Sequence, residues 1–351
     1  MRKRNWAAAA VAALMLGAGW AGAADAPKAG ATKPLSPADE KKKLTYADPE
    51  KAPADFKVQG EYEGEVTGGD GFKGKIGIQV LALGDGQFHA VFFPGGLPGA
   101  GWDGKARISS KNKWGADGKM DGDKTVLEPA DTGYSATITG ETLTGKTKEG
   151  GTIAAKKVVR QSPTIGAKAP EGAVMLFDGS NADGWRDGHM SDRKTLMAGT
   201  KTKQAFKSFT LHMEFFLPFK PYARGQDRSN SGLYLQDMAE CQVLDSFALP
   251  SETDDCGGIY KQHKPLVNAG LPPITWQTYD VEFQAAQWEG DKKVKDAIAT
   301  IKLNGVVIHE NASIKPTPGG GTKENPNGGP IQFQGHGNPI EFRNIWIVEK
   351  K

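Results

Sequence analysis

The chain is short of several things, and each shortage excludes something. Among 351 residues there are two cysteines, Cys241 and Cys256, and six histidines. A structural zinc module needs four clustered Cys or His ligands at tight spacing, and none is present. Charge of one sign is not in excess: 44 Lys and Arg stand against 41 Asp and Glu, a formal net charge of +3. The basic residues are scattered among acidic ones, with no basic arm beside an aromatic platform, which argues against a nucleic-acid partner. Beyond the first residues no apolar run approaches the ~20 residues of a membrane span. No ten-residue segment carries an apolar stripe at helical spacing, so a helical fold is excluded.

What is plentiful points the other way. The 46 glycines and 21 prolines suit many short strands joined by turns. The first residues read as an address. Arg2, Lys3 and Arg4 precede the apolar run Ala7 to Leu16, and Ala21-Gly22-Ala23 has the small residues of a cleavage site. A signal peptide over residues 1–23, cleaved near Ala23, implies an exported chain, periplasmic or extracellular, with no transmembrane span once mature. In that oxidising setting Cys241 and Cys256 are expected to form a disulfide. Closing the 14 residues between them stabilises by about 3 kcal/mol on the chain-entropy model.

Residues 24–53, rich in Ala, Pro and Lys, read as a flexible linker with one helical turn after Ser36. Residues 54–162 read as a small antiparallel β domain. There "GKIGIQVLAL" alternates, "GDG" turns, and "QFHAVFF" continues, which is a hairpin. His89 in that strand is expected at the surface or rim. "QSPTIGAKAPEG" marks a boundary. Residues 171–351 then carry further strands, including "WQTYDVEFQAAQW" and "AIATIKLNGVVIHEN", whose Asn304-Gly305 is a strong hairpin signal. The last stretch, "GPIQFQGHGNPIEFRNIWIVEKK", reads as a final strand pair around the polar insert "GHGN". The predicted fold is all-β: a two-sheet antiparallel jelly-roll sandwich preceded by the small β domain. The sandwich, from about Ala173, is expected to fold alone.

Candidate site residues follow from strand alternation. In "AECQVLDSF", Glu240 and Gln242 share one face and Cys241, Val243 and Asp245 the other. Two polar groups in succession suit either a solvated face or a site, and Asp245 near the strand end also suits a turn cap. The loop "DRSNSGLYLQD" offers Asn230. "GGIYKQHKPLVNAGLPPITW" offers Lys261 and Trp276, of the kinds that stack on sugar rings and bond sugar hydroxyls. The last stretch adds His336, Asn338 and Arg343.

Six blocks in order carry a resemblance: "LFDGSNADGW", "SNSGLYLQ", "ECQVLDSF", "CGGIYKQHKPLVNAGLPPITWQTYDVEF", "LNGVVIHEN" and "GPIQFQGHGNPIEFRNIWI". From about Ala173 to Glu349 the chain resembles the 3-keto-disaccharide hydrolase family. The resemblance implies a concanavalin-like, laminin-G-like jelly roll that cleaves glycosides whose ring has been oxidised to a 3-ketone. It points to Glu240, Gln242, Asp245, His336, Asn338 and Arg343. We assign catalysis to Glu240, His336 and Asp245, and substrate binding to Gln242, Asn230, Lys261, Trp276, Asn338 and Arg343.

A C3 ketone acidifies the C2 proton, so a base can start an elimination that expels the glycosidic oxygen, and water then adds to the enone. Such a route needs a base, a donor for the enolate oxygen and an acid for the leaving group. A divalent cation held by Glu240, Asp245 and His336 is an open alternative for the enolate role. Glu240, His336 and Arg343 are expected to line one cleft. The implied partners are a 3-keto-glycoside and, upstream, a sugar-oxidising dehydrogenase. Two other classes stay open on the residues alone, a non-catalytic lectin-like module and a cell-surface interaction protein.

Overall fold

The computed structural model describes residues Leu35 to Lys350. The expected signal peptide and the first part of the expected linker lie outside them. Helix α1 (Pro37–Lys43) has Asp39 and Glu40 in its first turn and three lysines in its last, the arrangement its dipole favours. A 3-10 turn at Pro49–Lys51 and a second helix, α2 (Asp55–Val58), follow. Between the two helices Tyr46 exchanges two backbone hydrogen bonds with Phe219, at 3.0 and 2.7 Å. This part of the expected linker is therefore anchored. Among the described residues no helix is long and apolar enough to cross a membrane.

Eight strands close a barrel: β1 (Gly60–Thr67), β2 (Gly74–Gly84), β3 (Gln87–Pro94), β4 (Gly118–Asp121), β5 (Lys124–Leu127), β6 (Ser135–Thr139), β7 (Thr142–Lys146) and β8 (Thr152–Val158). Each pairs antiparallel with the next, and β8 returns to β1. The β2–β3 turn uses Asp85 and Gly86 at φ 53° and 68°, the left-handed pair that a two-residue hairpin of this hand requires. Tyr62, Ile78, Val80, Phe88, Phe92 and Leu143 fill the interior, so the barrel is a packed core rather than a channel. His89 is not at the surface: it is buried, with Nδ1 2.6 Å from Asp117.

The remaining strands are β9 (Val174–Phe177), β10 (Trp185–Arg186), β11 (Leu196–Met197), β12 (Thr200–Thr202), β13 (Ser208–Phe216), β14 (Ser231–Leu235), β15 (Ala239–Val243), β16 (Trp276–Gln284), β17 (Gln287–Glu289), β18 (Lys292–Lys295), β19 (Ala297–Leu303), β20 (Val306–Ile314), β21 (Gln332–Phe333) and β22 (Glu341–Lys350). One sheet has the order β10-β12-β21-β14-β15. A seven-stranded sheet has the order β11-β22-β13-β16-β19-β20, with β9 also on β22. Leu233, Cys241, Val243 and Phe333 of the first share one core with Leu211, Phe215, Val281 and Phe342 of the second. Phe333 stacks on Phe342 between the sheets, with centroids 3.9 Å apart. Removing either ring would cost about 3–5 kcal/mol.

The last stretch departs from expectation. The runs before and after "GHGN" do not pair with each other. β21 lies between β12 and β14, whereas β22 lies between β13 and β11 in the other sheet. The polar insert is a crossover between sheets, and it carries Arg343 away from Glu240.

Barrel and sandwich meet on apolar surface. Leu81, Leu83, Val91 and Phe93, on the outside of the barrel, pack with Phe247, Ala248 and Leu249. Phe219 enters the barrel core. Arg107 donates to the Ala248 carbonyl at 2.7 Å, and Arg224 to that of Leu83 at 2.7 Å. The braced segments are the loops after β13 and β15, which border the site described next.

Candidate active site

Cys241 and Val243 turn into the core, so alternation puts Glu240 and Gln242 on the outer face of the five-stranded sheet. Register sets Tyr234 opposite Glu240 and Gly232 opposite Gln242. The Tyr234 hydroxyl donates to Glu240 Oε2 at 2.9 Å and accepts from Gln334 Nε2 at 3.3 Å. A Cβ at position 232 would lie 2.5 Å from Glu240 Oε1, so the glycine makes room for the carboxylate. The Glu240 backbone N–H donates to Thr317 Oγ1 at 2.8 Å. Glu240 is 4% exposed. Burial pushes its carboxyl up to about 7, and the Tyr234 hydroxyl pulls only partly back. Burial, with Glu240 beside it, also raises the Tyr234 phenol, which keeps it a donor.

Beyond Glu240 two further hydrogen-bonded groups lie on the neighbouring segments. Gln242 Nε2 and Asn230 Nδ2 both donate to Gln226 Oε1, each at 3.1 Å. Arg228 Nε lies 2.9 Å from Asp245 Oδ2, in a pair with both side chains buried. Arg228 Nη1 donates to the Lys220 carbonyl at 3.2 Å. Lys220 Nζ donates to Asn338 Oδ1 at 2.6 Å, and Asn338 Nδ2 to the His336 carbonyl at 3.3 Å. Between Arg228 and Asn230, Ser229 holds φ 52°, a backbone strain of the kind that gathers at functional sites. Two buried amide oxygens, Asn230 Oδ1 and Gln334 Oε1, have no partner, and neither has Nη2 of the fully buried Arg228. Buried polar atoms are rarely left so. Unpaired amide oxygens are acceptors of the kind that sugar hydroxyls satisfy.

The predicted residues divide accordingly. Glu240 and Gln242 share the outer face, Asn230 joins Gln242 through Gln226, and Asn338 lies on the crossover with Lys220 as its partner. His336 is exposed, on the turn two residues past Gln334. Asp245 is not open to substrate: its partner is Arg228, which draws it back against the upward push of burial. Lys261 is exposed and pairs with Asp254 at 3.3 Å. Trp276 and Arg343 stand on the outer face of the seven-stranded sheet, so the single cleft expected for Glu240, His336 and Arg343 does not form. There the Arg343 guanidinium lies 4.0 Å from the Trp276 ring centroid, and its Nε donates to Glu214 Oε2 at 2.7 Å. Glu214 Oε1 also takes the Gly166 backbone N–H at 2.6 Å and Asn344 Nδ2 at 2.9 Å. This network staples the segment between barrel and sandwich onto the sheet.

The cysteine expectation is corrected as well. Cys241 and Cys256 are free thiols in the core. Cys256 Sγ lies 3.4 Å from the Tyr279 hydroxyl, and Cys241 Sγ is directed at the Gly257 carbonyl, 3.8 Å away. Burial pushes both thiols up, Cys256 to about 11, so they behave as inert packing groups. For a divalent cation, the described residues contain no cluster of three or more His, Cys, Asp or Glu. Glu240, Asp245 and His336 do not fit as a ligand set, because Asp245 is taken by Arg228 and His336 stands on an exposed turn.

The family profile described as the 3-keto-alpha-glucoside-1,2-lyase-like domain matches residues 172–348, half of the chain. The chain belongs to this family. The match begins after the barrel, so the barrel lies outside the family domain. Among solved structures, a "putative glycosyl hydrolase" from Parabacteroides distasonis ATCC 8503 is 34% identical over 52% of this chain and 85% of that one, with a TM-score of 0.48. A second from the same organism is 19% identical over 52% and 95%, with a TM-score of 0.37. A comparison with curated proteins gave no match. Membership supports a glycoside-acting enzyme.

Sequence reasoning missed Tyr234, Gln334, Gln226, Lys220 and Arg228. Tyr234 had one usable signal: in "SGLYLQDMAECQV" a tight turn sets it across from Glu240. The others depend on long-range contacts.

Proposed function

We propose that the five-stranded face binds a 3-keto-glycoside and that Glu240 begins its cleavage by removing the proton at C2. One observation carries this reading: a carboxylate almost fully buried, poised near 7, beside polar atoms that lack partners. Near neutrality such a group exists in both protonation states, as proton transfer requires. Tyr234 holds Oε2, so Oε1, above Gly232, is the oxygen that accepts the proton. The electron pair of the C2–H bond forms the enolate with the C3 carbonyl. As the C1–O bond breaks, the pair moves to make C1=C2, and the departing oxygen takes a proton to leave as an alcohol. His336 at the rim is assigned that proton delivery. Water then adds across C1=C2, and the sum is hydrolysis. Arg228 is fully buried and does not touch the substrate; its pair with Asp245 fixes the loop that carries Asn230. Asp245 is reassigned as the residue that holds Arg228, a positioning role.

The same reading takes the two sheets as a concanavalin-like jelly roll, places the chain outside the cytoplasm, and makes a sugar-oxidising dehydrogenase the source of the ketone. The test is incubation with a 3-keto-disaccharide and, separately, with its unoxidised parent. Release of the second sugar from the oxidised compound alone is expected. Equal cleavage of the parent, or saturable binding without release, would overturn the reading, the latter in favour of a lectin-like module.

A further inference from the structure

A cavity of about 460 Å³ lies at the seam of barrel and sandwich. Its apolar walls are Phe56, Val158, Val159, Pro272, Pro273 and Ile274. Two polar groups lining it are left incomplete. Gln59, 3% exposed, accepts the Ala82 N–H on Oε1 at 3.0 Å, while its Nε2 is buried with no partner. Lys157 donates from Nζ to the Lys57 carbonyl, and among the described residues no carboxylate lies at ion-pair distance from it. Glu61, also on the wall, is already taken by the Arg160 fork at 2.6 and 2.5 Å and by Gln79 at 2.9 Å.

The lysine is held in place. A Cβ at Gly60 would come 3.0 Å from Lys157 Cε, so the aliphatic stem lies across the glycine. Burial lowers the ammonium, which means that its charge is incompletely compensated there. The half-buried ammonium, drawn by Glu141 from beyond ion-pair distance and 6.0 Å from the Tyr62 ring centroid, and the amide N–H without an acceptor are both incompletely satisfied beside these apolar walls. A ligand with an anionic head and a flat apolar body would relieve both, and the volume falls within the range of small-molecule sites, which favour domain interfaces.

We propose that this seam cavity binds a small aryl carboxylate, its carboxylate between Lys157 Nζ and Gln59 Nε2 and its ring against Phe56, Ile274 and the two prolines. The site is independent of the glycoside reading, and Glu240 takes no part in it.

Calorimetric titration of the intact protein with 2-naphthoate and, separately, with 2-naphthamide tests the proposal. One saturable site for naphthoate is expected, with the neutral amide weaker by about tenfold or more, since the charge-assisted bond is lost. Lys157→Met should weaken naphthoate by a similar factor. Gln59→Glu, which keeps the acceptor for Ala82, should do so too. Val159→Trp, at a rim position 84% exposed, should close the mouth without burdening the fold. Glu240→Gln should bind naphthoate as the wild type does. Absence of saturable naphthoate binding, equal binding of acid and amide, or full binding by folded Lys157→Met would overturn it.

Discussion

Tyr234 and Glu240 face each other across the β14–β15 pair, and the phenol donates to one carboxylate oxygen at 2.9 Å. That bond is the main influence holding the Glu240 carboxyl below where burial alone would put it. Tyr234→Phe removes the donor and keeps the ring. The rising limb of kcat/KM should then move upward by about half to one pH unit. A pH–rate profile checks this. An unmoved limb would show that Glu240 is not the group that titrates.

Glu240 also ties stability to pH. Its folded-state carboxyl is raised from 4.5 to about 7, so the folded chain binds this proton more tightly than the unfolded chain. The stability linked to it is fully present below about 4.5 and is lost as pH rises from there through about 7. Glu240→Gln carries no such titration. Melts at pH 5 and pH 8 should show the variant gaining on the wild type at the higher pH. A difference in melting temperature that stays constant with pH would contradict the burial argument.

Arg343 makes a contrasting case. Burial opposes ionisation of Glu214, but hydrogen bonds from His212, Asn344, the Gly166 amide and Arg343 prevail and hold it down at about 2. The stability linked to that carboxylate is present above about 4.5 and is lost as pH falls through about 2. Arg343→Met should destabilise by about 1–2 kcal/mol, since its side chain is 40% exposed and the pair is partly screened. Turnover should stay within about threefold of wild type. A loss of about 10²-fold in a normally melting variant would return Arg343 to the active site.

The braced seam bears on the barrel's role. A chain beginning at Ala173 would expose Phe219, Phe247, Leu249 and the surface around them, all buried against the barrel in the intact chain. The sequence suggested that this part folds alone. The packing instead predicts a truncated chain with retained β signal, lost cooperativity and dye-binding apolar surface. A sharp two-state melt of the soluble fragment would show the barrel to be dispensable for folding.

Local signals were legible where local physics decides. The Asn304-Gly305 hairpin forms with φ 51° and 78°, and the face carrying Glu240 and Gln242 follows from simple alternation. Where two alternating runs join was not legible. A glycine-rich insert between them reads as a hairpin, but a crossover between sheets has the same local pattern, and only the positions of β12, β13 and β14 decide between them. That one ambiguity misplaced Arg343. The disulfide failed for a different reason: compartment and spacing say nothing of whether two thiols face each other, and here each is occupied by a different core oxygen. Arg228 could not be singled out, because its ion pair with Asp245 joins residues on separate segments.

The central claim is that Glu240 takes the C2 proton of a 3-keto sugar. The most direct measurement is turnover of a 3-keto-disaccharide in D2O by wild type and Glu240→Gln, following product release together with deuterium at C2. Wild type should release product carrying deuterium at C2, and Glu240→Gln should lose both release and exchange by about 10²-fold or more while melting normally. Undiminished release by Glu240→Gln, or wild-type release with the C2 proton retained, would contradict it.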